Sequence, residues 1–205
     1  KDPIQQGGPH RGYIGYVDHC EYPMIATARL SGMMLDYPKL LDKGIGGLRS
    51  DLQEKLKEQP DNNFYKAGIQ CLDIFVDCAS HLQQDAREQM ASANMKRQKE
   101  LERICQALEN IKEKKPGTFH EAMQLFWLFA LLAGVINYGR LDDYLGPYLV
   151  ADLKSGRLTD EEAYRYIHSL WTMIENRRTT VNGRIIVGGK DANIRKRPTY
   201  SCISP

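Results

Sequence analysis

The feature that most constrains this chain is an almost wholly apolar segment from Ala122 to Ile136. Thr118, with Glu121 three residues later, precedes it in the pattern of a capping box, which predicts that a helix begins there. Gly139 and its polar neighbours end the segment. A helix of about fifteen residues is too short to cross a bilayer comfortably, since a span needs ~20 residues. A helix that is apolar on every side is instead buried between other elements, so the chain must build a core around it.

Long helical patterns precede this segment. Apolar residues recur at spacings of three and four over residues 37–58, and three glycines near the middle predict a break there. No proline interrupts the chain from Phe64 to about Lys112. That stretch predicts either one very long helix or two helices separated near residues 91–94, where small and polar residues cluster.

Shorter elements follow the apolar segment. The pattern predicts a helix from Leu145 to Leu153, and Thr159 with Glu162 predicts a second capping box before another helix. Gly183 to Gly189 is typical of a short apolar strand. We therefore expect a fold that is mainly α, with too few strands to close a barrel alone. One partial domain over 1–205 is predicted, divided into an irregular or strand segment (1–36), a helical segment (37–114), capped buried helices with a polar loop (115–180), and a strand with a tail (181–205).

Composition excludes several classes of protein. The 205 residues are 42% hydrophobic and 26% charged with a net charge of +2, which argues against nucleic-acid and membrane partners. The polar start of the chain does not resemble a signal peptide, so a cytoplasmic location is expected. The cysteines form no C-x-x-C pair, and neither a metal site nor a disulfide framework is predicted. They are Cys20, Cys71, Cys78, Cys105 and Cys202.

A polar loop is predicted from Asn137 to Asp143, where Arg140 stands near two carboxylates. An arginine in such a place can grip a substrate carboxylate through two hydrogen bonds. It can equally pair with Asp142 or Asp143 and lock the loop, which the spacing favours. His120 and His168 lie on predicted helices and are interpreted as structural histidines.

Four blocks of the sequence follow the patterns of a known enzyme family. They are Leu35 to Leu41 with Gly44, Pro116 to Trp127, Gly139 to Tyr148, and Asp152 to Trp171. The second, PGTFHEAMQLFW, is close to the pattern P-x-T-F-H-E-A-x-Q-x-F-W, and the third, GRLDDYLGPY, is close to G-R-x-D-Q-Y-L-x-P-Y. Over residues 29–189 the chain thus resembles the glycyl radical enzymes, the pyruvate formate-lyase-like superfamily, in the N-terminal and central part of their domain.

The resemblance implies a fold and a chemistry. The fold would be a partial piece of a ten-stranded α/β barrel, and the family is commonly dimeric. No cofactor would be bound directly; an organic glycyl radical, installed by a radical SAM activase, would pass hydrogen abstraction to a cysteine thiyl. The reaction would be anaerobic cleavage of a C–C or C–heteroatom bond in a small organic substrate, by a lyase or a formate acetyltransferase-like transferase.

The chain also departs from the family pattern. It contains no R-V-x-G radical motif, so the 205-residue chain by itself is expected to be inactive. Cys202 to Pro205 resembles the C-V-S-P tail of the thiyl motif, which makes Cys202 the candidate thiyl cysteine. It follows the strand at 183–189 more closely than the family pattern allows, so either an intervening segment is missing or the match is chance.

Two further positions bear on the substrate. Met33 follows Gly32 where the diol- and amine-cleaving branches carry Gly-His, and a methionine cannot transfer a proton. Asn137 stands where those branches often place a substrate-facing serine. The resemblance therefore makes Asn137 and Arg140 candidate substrate-binding residues, with Gly139 and Asp142 shaping the loop.

Two readings of the whole chain remain open. It is a fragment or truncated member of a glycyl radical enzyme, or it is a catalytically inactive paralogue that acts as a helical binding or assembly module. A large exposed apolar face around Phe126, Trp127 and Phe129 would support a missing remainder. A face sealed within this chain would remove that support.

Overall fold

A computed structural model describes residues 34–177 and 183–188 of the chain. Within these ranges the chain forms helices joined by short connections, with two short strands. In chain order they are α1 (Tyr37–Glu58), α2 (Asn63–Met90), α3 (Met95–Ile111), α4 (Phe119–Leu132), β1 (Asn137–Arg140), α5 (Leu141–Lys154), α6 (Asp160–Asn176) and β2 (Arg184–Ile186). The mainly helical fold is confirmed. None of the described helices combines the length and the hydropathy that a membrane crossing requires.

Helix α1 bends at one of its three glycines. Gly44 has φ of 66°, and a Cβ placed there would lie 2.6 Å from the backbone nitrogen of Lys115. The Gly46 N–H then donates to the carbonyl of Glu113 over 3.0 Å. The predicted break is thus a kink within one helix. It lets the α1 backbone touch the connection between α3 and α4, which only a glycine can do at this distance.

The long proline-free stretch forms two helices, α2 and α3, and the predicted interruption near residues 91–94 is confirmed. Asn94 ends the connection as the N-cap of α3, and its side chain accepts the N–H of Arg97 over 2.9 Å. The two helices pack together in a hairpin. Gln83 is buried between them and donates to the carbonyl of Cys105 over 2.9 Å, which satisfies a polar side chain inside the contact.

Of the two predicted capping boxes, one is complete and the other is only partly formed. Thr159 and Glu162 form a complete box at the start of α6. At the start of α4, Thr118 accepts the N–H of Glu121 over 3.2 Å, but the Glu121 carboxylate accepts the N–H of Gly117 instead, over 2.7 Å. The helix start is therefore confirmed, while the reciprocal half of that box is displaced by one residue.

Helix α4 lies at the centre of the core. Phe126 is fully buried, and Trp127 and Phe129 are half-buried. Three tyrosine rings from other elements surround Phe126, with centroid separations of 4.9, 5.7 and 5.5 Å: Tyr37, Tyr138 and Tyr144. The apolar face around Phe126 is thus largely covered by residues of this chain, and whether the chain is a fragment stays a prediction.

Strand β1 has a parallel neighbour on each side. It pairs with β2 through Asn137 with Arg184 and Arg140 with Ile186, with a bulge after Asn137. Met34 forms a parallel bridge to Asn137 from the other side. Gly139 has φ of 59°, and a Cβ there would collide with the Met34 sulfur at 1.9 Å, so this strand position requires glycine.

The polar segment 137–143 is not a loop, and this corrects the sequence prediction. Its first four residues form β1, and α5 begins directly at Leu141 rather than at Leu145. Strand pairing satisfies the backbone of the first half, through partners remote in sequence that periodicity cannot reveal. Asp142 and Asp143 fall in the first turn of α5, where the helix dipole favours negative charge.

Candidate functional site

The candidate substrate residues lie at the two ends of β1. Asn137 begins the strand, and Arg140 ends it and occupies the N-cap position of α5 without a side-chain capping bond. Parallel strands that are followed by helices bring polar residues together at their carboxyl ends, where α/β proteins commonly bind ligands. Arg140 and the start of α5 lie at such an end, since β2 runs in the same direction and ends nearby.

Arg140 forms an ion pair with Asp142, with 3.1 Å between Nη2 and Oδ2. The same carboxylate oxygen accepts the N–H of Gly188, just beyond β2, over 2.9 Å. Burial acts to raise the pKa of Asp142, but the hydrogen bonds from Arg140 and Gly188 outweigh it and hold that pKa below its ordinary value. Asp142 is therefore a charged residue that joins the β1–α5 junction to the end of β2.

Asn137 stabilises the bulge in β1. Its Oδ1 accepts the N–H of Gly139 over 3.2 Å, which gives the irregular backbone a partner where the ladder is interrupted. This contact fixes the carbonyl end of the Asn137 side chain. The position of Asn137 as a substrate contact stays a prediction.

Arg177 is a residue of this region that the sequence reasoning missed. Its Nη1 donates to the carbonyl of Val135 over 2.8 Å and to the hydroxyl of Tyr138 over 2.7 Å. Its guanidinium lies 6.0 Å from the centre of the Trp127 ring. The end of α6 is thereby tied to the start of β1. In the sequence this residue is one half of an Arg-Arg pair after an amphipathic helix, a pattern that does not separate it from a solvated arginine.

Buried tyrosines support β1 from the helical side. The hydroxyl of Tyr144 donates to the carbonyl of Tyr138 over 2.7 Å. The hydroxyl of Tyr37 is buried and has no hydrogen-bond partner among the described residues. Burial raises the pKa of both Tyr37 and Tyr144 well above the ordinary range, so both phenols stay protonated.

The two histidines lie elsewhere. His120 stacks on Tyr166 with a centroid separation of 4.9 Å and an angle of 8°. Burial lowers the pKa of His120, so its imidazole is neutral near pH 7. His168 is exposed on α6 beside Tyr164. Neither histidine shares a described contact with Asn137 or Arg140, in keeping with their structural interpretation.

The remaining residues that the sequence analysis singled out do not lie beside Arg140 in the described structure. Cys202 and Met33 lie outside the described residues, so their predicted roles stay predictions. Asp143 lines a shallow depression with Asp42 and Tyr148, on the α1 side of α5. In residues 34–177 and 183–188, no three histidine, cysteine or carboxylate side chains cluster in a way that would hold a metal ion.

The family match and the relatives of this chain agree with one another. Residues 18–196 match the family described as Pyruvate formate lyase-like. The chain is 28% identical over 153 residues to the isethionate sulfite-lyase of Oleidesulfovibrio alaskensis, covering 66% of this chain and 18% of that protein. It is 30% identical over 161 residues to the (2S)-3-sulfopropanediol dehydratase of Klebsiella oxytoca, covering 70% of this chain and 19% of that protein.

A solved structure shares the fold. A glycyl radical enzyme from Archaeoglobus fulgidus superposes with a TM-score of 0.62 at 24% identity, over 75% of this chain and 21% of that one. The chain therefore spans about a fifth of the length of the relatives that it matches. The resemblance to glycyl radical enzymes that the four sequence blocks carried is confirmed.

Proposed function

The chain belongs to the pyruvate formate lyase-like family, and we propose that it forms part of the barrel wall of a glycyl radical enzyme that cleaves a carbon–heteroatom bond in a small organic substrate. The observation that carries this proposal is the position of β1. It lies between two parallel neighbours, is followed at once by α5, and bears Arg140 and Asp142 at its carboxyl end.

The named relatives support the choice of bond. Their names describe a lyase that releases sulfite and a dehydratase, and both act on small organic molecules. Carbon–carbon cleavage, as in a formate acetyltransferase, is the less favoured reaction. The departure at Met33 from the Gly-His pattern implies that the proton transfer served by that histidine elsewhere falls to another residue here.

In this proposal, the residues of β1 position the substrate. Arg140 lies at the carboxyl end of β1, and the planar set of N–H donors of a guanidinium suits an anionic group of the substrate. Asn137 contacts the substrate from the other end of the strand, and Asp142 keeps Arg140 aligned. A glycyl radical, installed anaerobically by a radical SAM activase, supplies the hydrogen abstraction, with Cys202 as candidate thiyl carrier.

Isethionate binding tests the positioning role. Isethionate is titrated into the chain under anaerobic conditions, with ethylene glycol as the uncharged comparison. Arg140→Gln should abolish the preference for isethionate, and Asn137→Ala should weaken binding of both compounds. Arg87→Gln, an exposed change on α2, is the matched control and should leave the preference intact. Equal binding by wild type and Arg140→Gln would show that Arg140 does not hold the anionic group.

A binding or assembly module is the second candidate. The observation in its favour is that the Phe126 face is covered by aromatic rings of this chain. A folded wild-type chain without any isethionate binding would favour this module. An EPR spectrum after anaerobic incubation with a radical SAM activase is the complementary test. A glycyl radical signal from the 205-residue chain alone would contradict the expectation that it is inactive.

A further inference from the structure

A groove on the helical side of the molecule is separate from β1. It has a volume of about 320 Å³ and is lined by side chains of α3, α4 and α6, with none from either described strand. Helix α4 forms the floor through His120 and Trp127. Helices α3 and α6 form the walls and are joined at the rim by an ion pair of 3.3 Å between Arg103 and Glu162.

The floor of the groove is flat and largely apolar. The His120 ring lies parallel to the Tyr166 ring, and the half-buried Trp127 lines the same groove. Met123 and Leu170 are buried beneath it. Because burial lowers the pKa of His120, this imidazole presents an uncharged face near neutral pH. Such a floor suits a planar ring, which gains from stacked or edge contacts with aromatic side chains.

The two carboxylates of the groove walls already have hydrogen-bond partners within the protein. The Glu162 carboxylate accepts from Arg103 and from both the N–H and the hydroxyl of Thr159. The Glu100 carboxylate accepts from Arg97 over 3.0 Å. Both acidic groups are therefore already engaged by cations or N–H donors of the protein.

Donors remain in the same groove. Among the described residues, no hydrogen bond or ion pair engages the guanidinium of Arg165, and none engages the indole N–H of Trp127. The three arginines of the groove outnumber its two glutamates. The site thus offers spare donors and positive charge, which a ligand with anionic acceptor atoms would satisfy.

We propose that this groove binds a small aromatic carboxylate, with the ring on the Trp127 floor and the carboxylate on Arg165. The volume lies within the range of about 300–1,000 Å³ of small-molecule sites, at its lower end, which favours a single ring. This binding site is independent of the proposed radical chemistry, because it uses neither Asn137 nor Arg140.

Tryptophan fluorescence gives a direct test. The chain has two tryptophans, and Trp171→Phe leaves Trp127 as the only reporter. Trp171 is partly exposed, so this background variant should fold. Benzoate is titrated into it at low salt, with benzamide as the uncharged match of the same shape. We expect a saturable change in Trp127 emission with benzoate, and an affinity for benzamide that is weaker by at least about threefold.

Three arginine variants in the same background complete the test. Arg165→Gln should reduce benzoate affinity to that of benzamide, and Arg165→Lys should retain part of the difference. Arg87→Gln, an exposed change on α2, should leave the difference between benzoate and benzamide affinities unaltered. A wild-type groove that shows no saturable change would overturn the proposal. So would equal affinities for benzoate and benzamide, or an unchanged benzoate affinity in a folded Arg165→Gln protein.

Discussion

At the scale of single residues, Asp142 joins the β1–α5 junction to the backbone just beyond β2 through one carboxylate oxygen. It accepts from Arg140 and from the Gly188 N–H. Asp142→Asn should destabilise the fold by about 1 kcal/mol, because a charged acceptor is lost but partial exposure weakens its effect. Chemical denaturation measures this change. Hydrogen exchange should show faster exchange of the Gly188 amide. Asp143→Asn alters a carboxylate in the same helical turn and should leave that amide protected.

The buried tyrosines allow a paired test of hydrogen-bond satisfaction. The Tyr37 hydroxyl is buried without a described partner, whereas the Tyr144 hydroxyl donates to the Tyr138 carbonyl. Tyr37→Phe should therefore leave stability unchanged or raise it by up to about 1 kcal/mol, since it removes an unpaired polar group. Tyr144→Phe should lower stability by about 1 kcal/mol. Equal losses in the two variants would indicate that Tyr37 has a partner after all.

His120 should make stability depend on pH. Burial depresses its pKa in the folded chain below the ordinary value of 6.5. The unfolded chain then takes up a proton more readily, so stability is fully present above pH 6.5 and falls as pH decreases through that value. The free energy of unfolding at pH 7.5 and 5.5 measures the effect. His120→Gln should flatten the slope in this window, whereas Asp142→Asn should leave that slope unchanged, because this carboxylate titrates at lower pH.

At the scale of elements, the kink in α1 depends on Gly44. A Cβ there would meet the Lys115 backbone, and the φ of 66° disfavours any L side chain. Gly44→Ala should therefore cost at least about 2 kcal/mol, from the left-handed conformation together with the clash. Gly146 lies in α5, where a Cβ would have no neighbouring atom within 4 Å, so Gly146→Ala should instead stabilise by up to about 1 kcal/mol. Thermal denaturation distinguishes the two signs.

The elements that the sequence predicted are those with local causes. The capping residues Thr118 and Thr159 and the interruption after α2 act within a few residues, so their patterns can be read directly. Strand β1 depends on Met34 and Arg184, which are remote in sequence, and its polar residues therefore suggested a loop. The spacing predicted that Arg140 pairs with one of two carboxylates, Asp142 or Asp143, but not which one.

At the scale of the molecule, the contacts that the sequence could not reveal are those that join distant segments. Arg177 meets Tyr138, and Gly188 meets Asp142, across more than one intervening element. The sequence around Arg177 and Asp142 does not indicate these partners, because arginine and aspartate side chains are usually solvated. The proposed division of the chain at residues 36, 114 and 180 stays a prediction. One core cluster nevertheless contains residues from both sides of the division at 114.

This shared core predicts cooperative unfolding. Phe126 contacts rings from α1, β1 and α5, so its loss affects segments that are far apart in sequence. Phe126→Ala should cost about 3–5 kcal/mol and shift near- and far-ultraviolet circular dichroism transitions together. Phe64→Ala, at a side chain that is 76% exposed, should change stability by no more than about 0.5 kcal/mol. Separate transitions for the two probes in the wild-type chain would show a populated intermediate, contrary to cooperative unfolding of a single core around Phe126.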